Sequence, residues 1–165
     1  MDTADIFAYA MKMETDGREF YLDQAKKSDQ EQFEKIWKQL ADDELKHYNI
    51  FKALRDGEAA SWDTETTILA STKNIFEEMK SSGKEFTFAE DVEKAWLEAR
   101  EVERKSEEFY REKAKQVDTE NKREILNRIA DEEHKHFVTL DNVIQFLRRP
   151  KQWLEDAEWN HMEDY

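Results

Sequence analysis

Shifting the chain by 89 residues lays positions 10–56 on positions 99–145 without a gap, and 15 of the 47 superposed pairs are identical. The matches include Glu14, Tyr21, Ala25, Asp29, Glu31, Ala41, Glu44, Lys46 and His47, whose counterparts are Glu103, Tyr110, Ala114, Asp118, Glu120, Ala130, Glu133, Lys135 and His136. Shared composition alone does not place so many identities in register. A chain that carries one unit twice can bury the apolar side of each copy against the other, which confines it to two matched halves around a common core.

Each unit reads as a helical hairpin. Only 3 Gly and 1 Pro occur in 165 residues, so helix is favoured almost throughout and sheet turns have few places to form. The local signals predict a first long helix over 3–27 and a second over about 28–56, opened by a capping box at Ser28-x-x-Glu31 and closed before Gly57. A third opens at the capping box Thr87-x-x-Glu90 and runs to about 116; a fourth is capped by Asp118 and ends near 149, ahead of Pro150. Between the halves, residues 57–88 read as a loop from Ser61 to Thr67, a short helix over 72–80 and a break at Ser81-Ser82-Gly83. A short tail helix follows, with Trp153, Leu154 and Met162 as its apolar side.

Short turns make antiparallel neighbours within each half, and a connection of about thirty residues is long enough to cross the bundle from end to end. The expectation is one all-α domain, 1–165: an antiparallel four-helix bundle with one long crossover and a short C-terminal helix. An up-down-up-down bundle with a loose connection is the competing arrangement.

Apolar residues recur at helical spacing on all four long helices, and every one of these seams is interrupted at its middle. The first reads Phe7, Ala10, Glu14, Gly17, Tyr21; the second Trp37, Leu40, Glu44, His47, Phe51, Leu54. The third reads Trp96, Ala99, Glu103, Ser106, Tyr110; the fourth Leu126, Ile129, Glu133, His136, Leu140, Val143, Leu147. Glu14 and Glu44 each lie about 15 residues, or ~22 Å of helix, from the first turn, and the same arithmetic about Asp118 levels Glu103 with Glu133. Four carboxylates at one height of an apolar core need strong compensation, because an unpaired buried charge is costly or is neutralised by protonation. Divalent cations supply that compensation. In each Glu-x-x-His pair, Glu44–His47 and Glu133–His136, the two side chains share a helix face and can reach the same ion. A set of four carboxylates and two imidazoles suits two iron ions, with manganese as second choice, better than calcium, which takes oxygen ligands.

With a formal charge of −14 and no cysteine, the chain is a poor partner for nucleic acid or an anionic membrane surface, and thiolate metal sites, disulfides and cysteine nucleophiles are excluded. Its N-terminus lacks a basic stretch followed by an apolar one, and no apolar run approaches the ~18 residues of a membrane span. A cytoplasmic location is expected.

The Glu14-to-Tyr21 and Glu103-to-Tyr110 spacings, together with Asp-Glu-Leu-Lys-His at 43–47 and Glu-Glu-His-Lys-His at 132–136, resemble the rubrerythrin family of ferritin-like diiron proteins across all four main helices. The resemblance implies Glu14, Glu44, His47, Glu103, Glu133 and His136 as ligands, with Glu44 and Glu133 bridging the metals. It further implies reduction of hydrogen peroxide at a diiron centre, with ferroxidase or iron-storage activity, hydroxylation by dioxygen, or a non-catalytic metal-binding bundle as alternatives, and a homodimer as the assembly. Two departures stand out. The family's additional metal-site Glu, one turn after the third-helix ligand, is Ser106 here, which puts redox-linked ligand switching in question. With no cysteine for a rubredoxin-type iron site, electrons come from an external donor.

Supporting roles fall to neighbours. Asp43 and Glu132 stand four residues before His47 and His136, where each can accept the imidazole N–H of its own helix. Tyr21 and Tyr110 are candidates to hydrogen-bond a ligand or an oxygen species and join Glu44 and Glu133 as candidate catalytic residues. Ala10, Gly17, Ala99 and Ser106 offer small side chains that either leave room for a small oxidant or let the helices pack closely. His134 and His161 read as surface residues.

Overall fold

The computed structural model describes residues 1–60, 62, 65–156 and 158–164. Its helices are α1 (Thr3–Lys27), α2 (Glu31–Arg55), α3 (Ile68–Ser82), α4 (Glu90–Ala114), α5 (Glu120–Arg148) and α6 (Pro150–Glu155), followed by a 3-10 helix, Glu158–Asp164. Within the expected loop 61–67, positions 61, 63 and 64 lie outside the described residues.

The ends of α1 match the sequence reading, the other helix ends differ from it by one to four residues, and side-chain hydrogen bonds explain two of the shifts. Ser28 does not cap α2: its Oγ accepts from Gln30 N–H (3.3 Å) and donates to the Gln30 carbonyl (3.0 Å), closing a local turn so that the helix starts at Glu31. Asp118 is likewise displaced by Thr119, whose hydroxyl accepts from Lys122 N–H (3.3 Å), while the Asp118 carboxylate pairs with the Lys122 ammonium (3.0 Å). Thr87 caps nothing; α4 begins after Ala89 with no side-chain cap. The short crossover helix starts at Ile68, four residues early, because Ile68 and Leu69 find buried positions, and it stops at Gly83, whose φ of 66° is the left-handed conformation that glycine adopts without strain.

The core is split into two. At one end Ile6, Phe7 and Ala10 of α1 meet Ile50, Phe51 and Leu54 of α2, Tyr110 and Ala114 of α4, and Ile125, Leu126 and Ile129 of α5. At the other, Tyr21 and Ala25 meet Phe33, Ile36, Trp37, Trp96, Val143, Ile144 and Phe146. The C-terminal half of α2 thus lies beside the C-terminal half of α4, and α4 begins at the far end of the bundle from where α2 stops. The crossover therefore runs the bundle's length, which fits the ferritin-like topology and excludes up-down-up-down. Phe76 of α3 packs on Phe146, Trp153 and Trp159, so the tail turns back over the crossover helix and buries Trp153, Leu154 and Met162 as expected. Two seam positions differ: Gly17 is half-buried, and so is Leu147, whose place in the interior Phe146 takes.

Between the two apolar clusters lies a polar layer. Glu14, Glu44, His47, Glu103, Glu133 and His136 are each at most 4 % exposed, and they come from the middles of four helices that their own apolar neighbours hold together. Packing on both sides of the layer, including the Trp37–Trp96 stack (3.8 Å between ring centroids), keeps those side chains dry.

Candidate metal centre

The four long helices converge on two overlapping groups of donor atoms. Glu14, Glu44, His47 and Glu133 can each offer one ligand atom within 4.8 Å of the others, and so can Glu44, Glu103, Glu133 and His136. Glu44 and Glu133 belong to both. Such an arrangement could hold two adjacent cations that share Glu44 and Glu133, and it gathers all six residues that the seams singled out.

Five of the six carry a buried oxygen or nitrogen that makes no well-directed hydrogen bond, Glu14 Oε2, Glu44 Oε1, His47 Nδ1, Glu103 Oε2 and Glu133 Oε1, although His47 Nδ1 and Glu133 Oε1 stand 2.9 Å apart. A buried polar atom left without a partner costs on the order of 1–3 kcal/mol, more for a charged group, and so many in one layer point to an ion that would satisfy them. The electrostatics agree. Burial, and then the charges of Glu133, Glu14 and Glu103, push the Glu44 carboxyl well above the ordinary carboxylate range. Burial followed by Glu103 and Glu14 does the same to Glu133. Burial also opposes ionisation of Glu103, but the charge of His136 and hydrogen bonds from Glu133, His136 and Tyr21 hold it down at about 2. For the imidazoles, burial works against the proton and is outweighed: His47 is raised by Glu14, Glu132 and Glu133, and His136 by Glu103 and Asp43. Protons thus occupy the places where cations would neutralise the same carboxylates.

Each imidazole is oriented from behind, but the partners are exchanged relative to the sequence reading. His47 Nε2 lies 2.8 Å from Glu132 Oε1, and His136 Nε2 lies 2.8 Å from Asp43 Oδ2. Asp43 therefore serves the histidine of α5 and Glu132 that of α2. Four residues along one helix is the right axial distance for its own histidine, yet both side chains point across the α2/α5 seam. With Nε2 taken up in this way, Nδ1 of each ring is directed to the carboxylate layer, 2.9 Å from Glu133 for His47 and 3.2 Å from Glu103 for His136. The tyrosines do bond candidate ligands, each on the opposite half: Tyr110 donates to Glu14 Oε1 (2.6 Å) and Tyr21 donates to Glu103 Oε1. Every supporting bond runs from one half of the repeat to the other, so the halves hold each other's ligands.

The crossover contributes a support that the sequence did not reveal. Thr66 donates its hydroxyl to Asp43 and its backbone N–H to Glu132 Oε2 (2.7 Å), binding both imidazole partners at once. Lys46 Nζ adds a 3.2 Å contact to Glu132, and burial notwithstanding, His47, the Thr66 amide and Lys46 hold the Glu132 carboxyl at about 2. Recurrence of Lys46 as Lys135 was the available signal for the lysine; Thr66 lies outside the repeat and had none. Gly17 bears on the small residues around the α1 and α4 carboxylates. A Cβ there would stand 3.4 Å from Glu44 Oε2, so the position packs against the Glu44 carboxylate, which is the close-packing reading of these small residues. Ser106, at the corresponding place in α4, is buried. His134 bonds Glu107 (3.0 Å) and His161 is exposed, and neither belongs to the donor groups.

Fold and site together define a helical-bundle protein with a buried centre of four carboxylates and two imidazoles suited to a pair of metal ions. The family model of rubrerythrin matches residues 5–144, and the chain belongs to the rubrerythrin family. No match was found among curated proteins or among solved structures. Among the described residues no helix is long and apolar enough to cross a membrane.

Proposed function

We propose that this protein is a peroxide-reducing oxidoreductase with two iron ions, or manganese as second choice, held by Glu14, Glu44, His47, Glu103, Glu133 and His136. The observation that carries the reading is the pair of donor groups sharing Glu44 and Glu133; membership of the family supports iron and peroxide. Reduction of peroxide to two waters needs two protons and two electrons, and the bound metals supply the electrons and polarise the oxidant.

The chain's own residues bind, orient and protonate. Glu44 and Glu133 span both metal positions, while Glu14 and Glu103 each serve one. Tyr110 and Tyr21 occupy one oxygen of Glu14 and Glu103 and leave the other directed at the centre. Burial and the adjacent carboxylates raise both phenols well above the usual range, so they stay protonated and stand one hydrogen bond behind the ligands as fixed donors. Protons reach the reacting oxygen through these carboxylates. The electrons are replaced by an external donor, and a homodimer in the cytoplasm completes the reading.

The test is anaerobic loading with ferrous iron followed by stopped-flow mixing with peroxide or dioxygen while ferric oxo absorption is followed. Faster oxidation by peroxide is the expected result. A preference for dioxygen would overturn it in favour of ferroxidase or hydroxylase chemistry, and failure to take up iron would leave a structural bundle. As a check on the imidazole supports, Asp43→Ala is expected to weaken ferrous binding about 10–100-fold in an anaerobic titration; unchanged affinity would mean that His136 is oriented without it.

A further inference from the structure

The halves of the repeat are matched at the centre and differ at its two outer faces. Between α1 and α2 lies a hollow of about 200 Å³ lined by Glu14, Thr15, Arg18, Glu19, Leu45 and Tyr48. Glu14, 1 % exposed, is part of its lining, and Arg18 Nε is buried without a hydrogen-bond partner. A shift of 89 residues carries Arg18, Leu45 and Tyr48 onto Glu107, His134 and Phe137 of α4 and α5. There the same positions are fastened: Glu107 Oε1 lies 3.0 Å from His134 Nδ1, and Phe137 lies parallel to the His134 ring at 6.1 Å. Arg111 adds a second tie between these helices, donating to Glu107 of α4 (2.9 Å) and to Asp131 of α5 (2.9 Å). Arg18 and Leu45 can form no such ion pair, since leucine offers nothing to a guanidinium.

We propose that the oxidant reaches the centre through the α1/α2 hollow, past Arg18 and Tyr48, and that the equivalent α4/α5 face is closed by the Glu107–His134 latch. This rests on the reading of the centre as a peroxide-reducing site. Arg18 Nε, buried without a hydrogen-bond partner, offers a donor to a peroxide oxygen on its way to Glu14, and Tyr48 forms part of the same lining.

The test transplants the latch. The double variant Arg18→Glu with Leu45→His and the single variant Leu45→Trp both change positions on the outer part of the bundle, and each is loaded with iron beside the parent protein. Two rates are measured: oxidation of the ferrous centre by hydrogen peroxide, and association of sodium azide with the ferric centre, which requires access but no turnover. Both variants are expected to retain two irons and to slow azide association and peroxide oxidation about tenfold or more, within the range over which on-rates change among variants of one site. Azide association within twofold of the parent in both variants would overturn the route. If azide is slowed while the parent centre fails to react with peroxide, the route stands and the peroxidase reading falls.

Discussion

Glu133→Ala is expected to take up no metal pair: fewer than two irons per chain after anaerobic loading and dialysis, against two in the parent protein. Glu133 belongs to both donor groups, so its loss removes a ligand from each site at once and leaves His47 Nδ1 without its 2.9 Å neighbour. Loss of Glu14 or Glu103 strips only one. A ligand that binds only the folded state stabilises it by about 4 kcal/mol at a thousandfold excess over its Kd, or roughly 8–16 °C in Tm for a chain of this length. That increment should appear when iron is added to the parent and vanish in Glu133→Ala and in Glu44→Ala. Retention of two irons in either variant would refute the assignment of bridging ligands.

Without metal, the protein should become less stable as pH rises from 5 to 8, and the metal-induced gain in Tm should grow over the same range. Glu44 and Glu133 have folded-state pKa values raised above their ordinary ones by burial and then by neighbouring carboxylates. A raised acid favours the folded state below its unfolded pKa of about 4.3 and loses that advantage as pH climbs toward its folded value. His47 and His136, raised against the effect of burial, act in the same direction: their contribution is full below about 6.5 and is lost as pH rises through the folded value. Glu103 and Glu132, both at about 2, work oppositely and withdraw their support only as pH falls toward 2. Metal competes with the protons on the same atoms, so its binding strengthens with pH. Melting curves at pH 5 and pH 8 should separate the metal-free protein by ~4 °C or more, a shift that ~1–2 kcal/mol produces at this chain length. A metal-free Tm that is flat or rising across this interval would contradict the protonated centre.

The six donor residues were legible because helical spacing is local and because the chain states its pattern twice. A carboxylate at the centre of an apolar seam is costly wherever the helix packs, so its position alone marks it. Equal distances from two turns then level the four glutamates without any knowledge of side-chain direction. The crossover's course was foreseeable from its length and is fixed by where the apolar clusters lie. Helix starts were read less well, since Ser28, Thr87 and Asp118 are each competent caps in isolation and only local turns select among competing hydrogen bonds.

What the sequence by itself determined is the helical hairpin, its duplication and the level at which Glu14, Glu44, His47, Glu103, Glu133 and His136 meet, because each follows from periodicity along one chain. What only the tertiary structure decided is which half serves which: Asp43 supports His136, Glu132 supports His47, and the tyrosines cross to the opposite glutamates. Thr66 joins both imidazole partners from a segment outside the repeat, and Arg18 and Leu45 leave a hollow where Glu107 and His134 close one. The physical reason is common to these cases. Spacing in sequence sets height and face, whereas hydrogen bonds between antiparallel helices depend on lateral direction, which is settled only when all four helices pack.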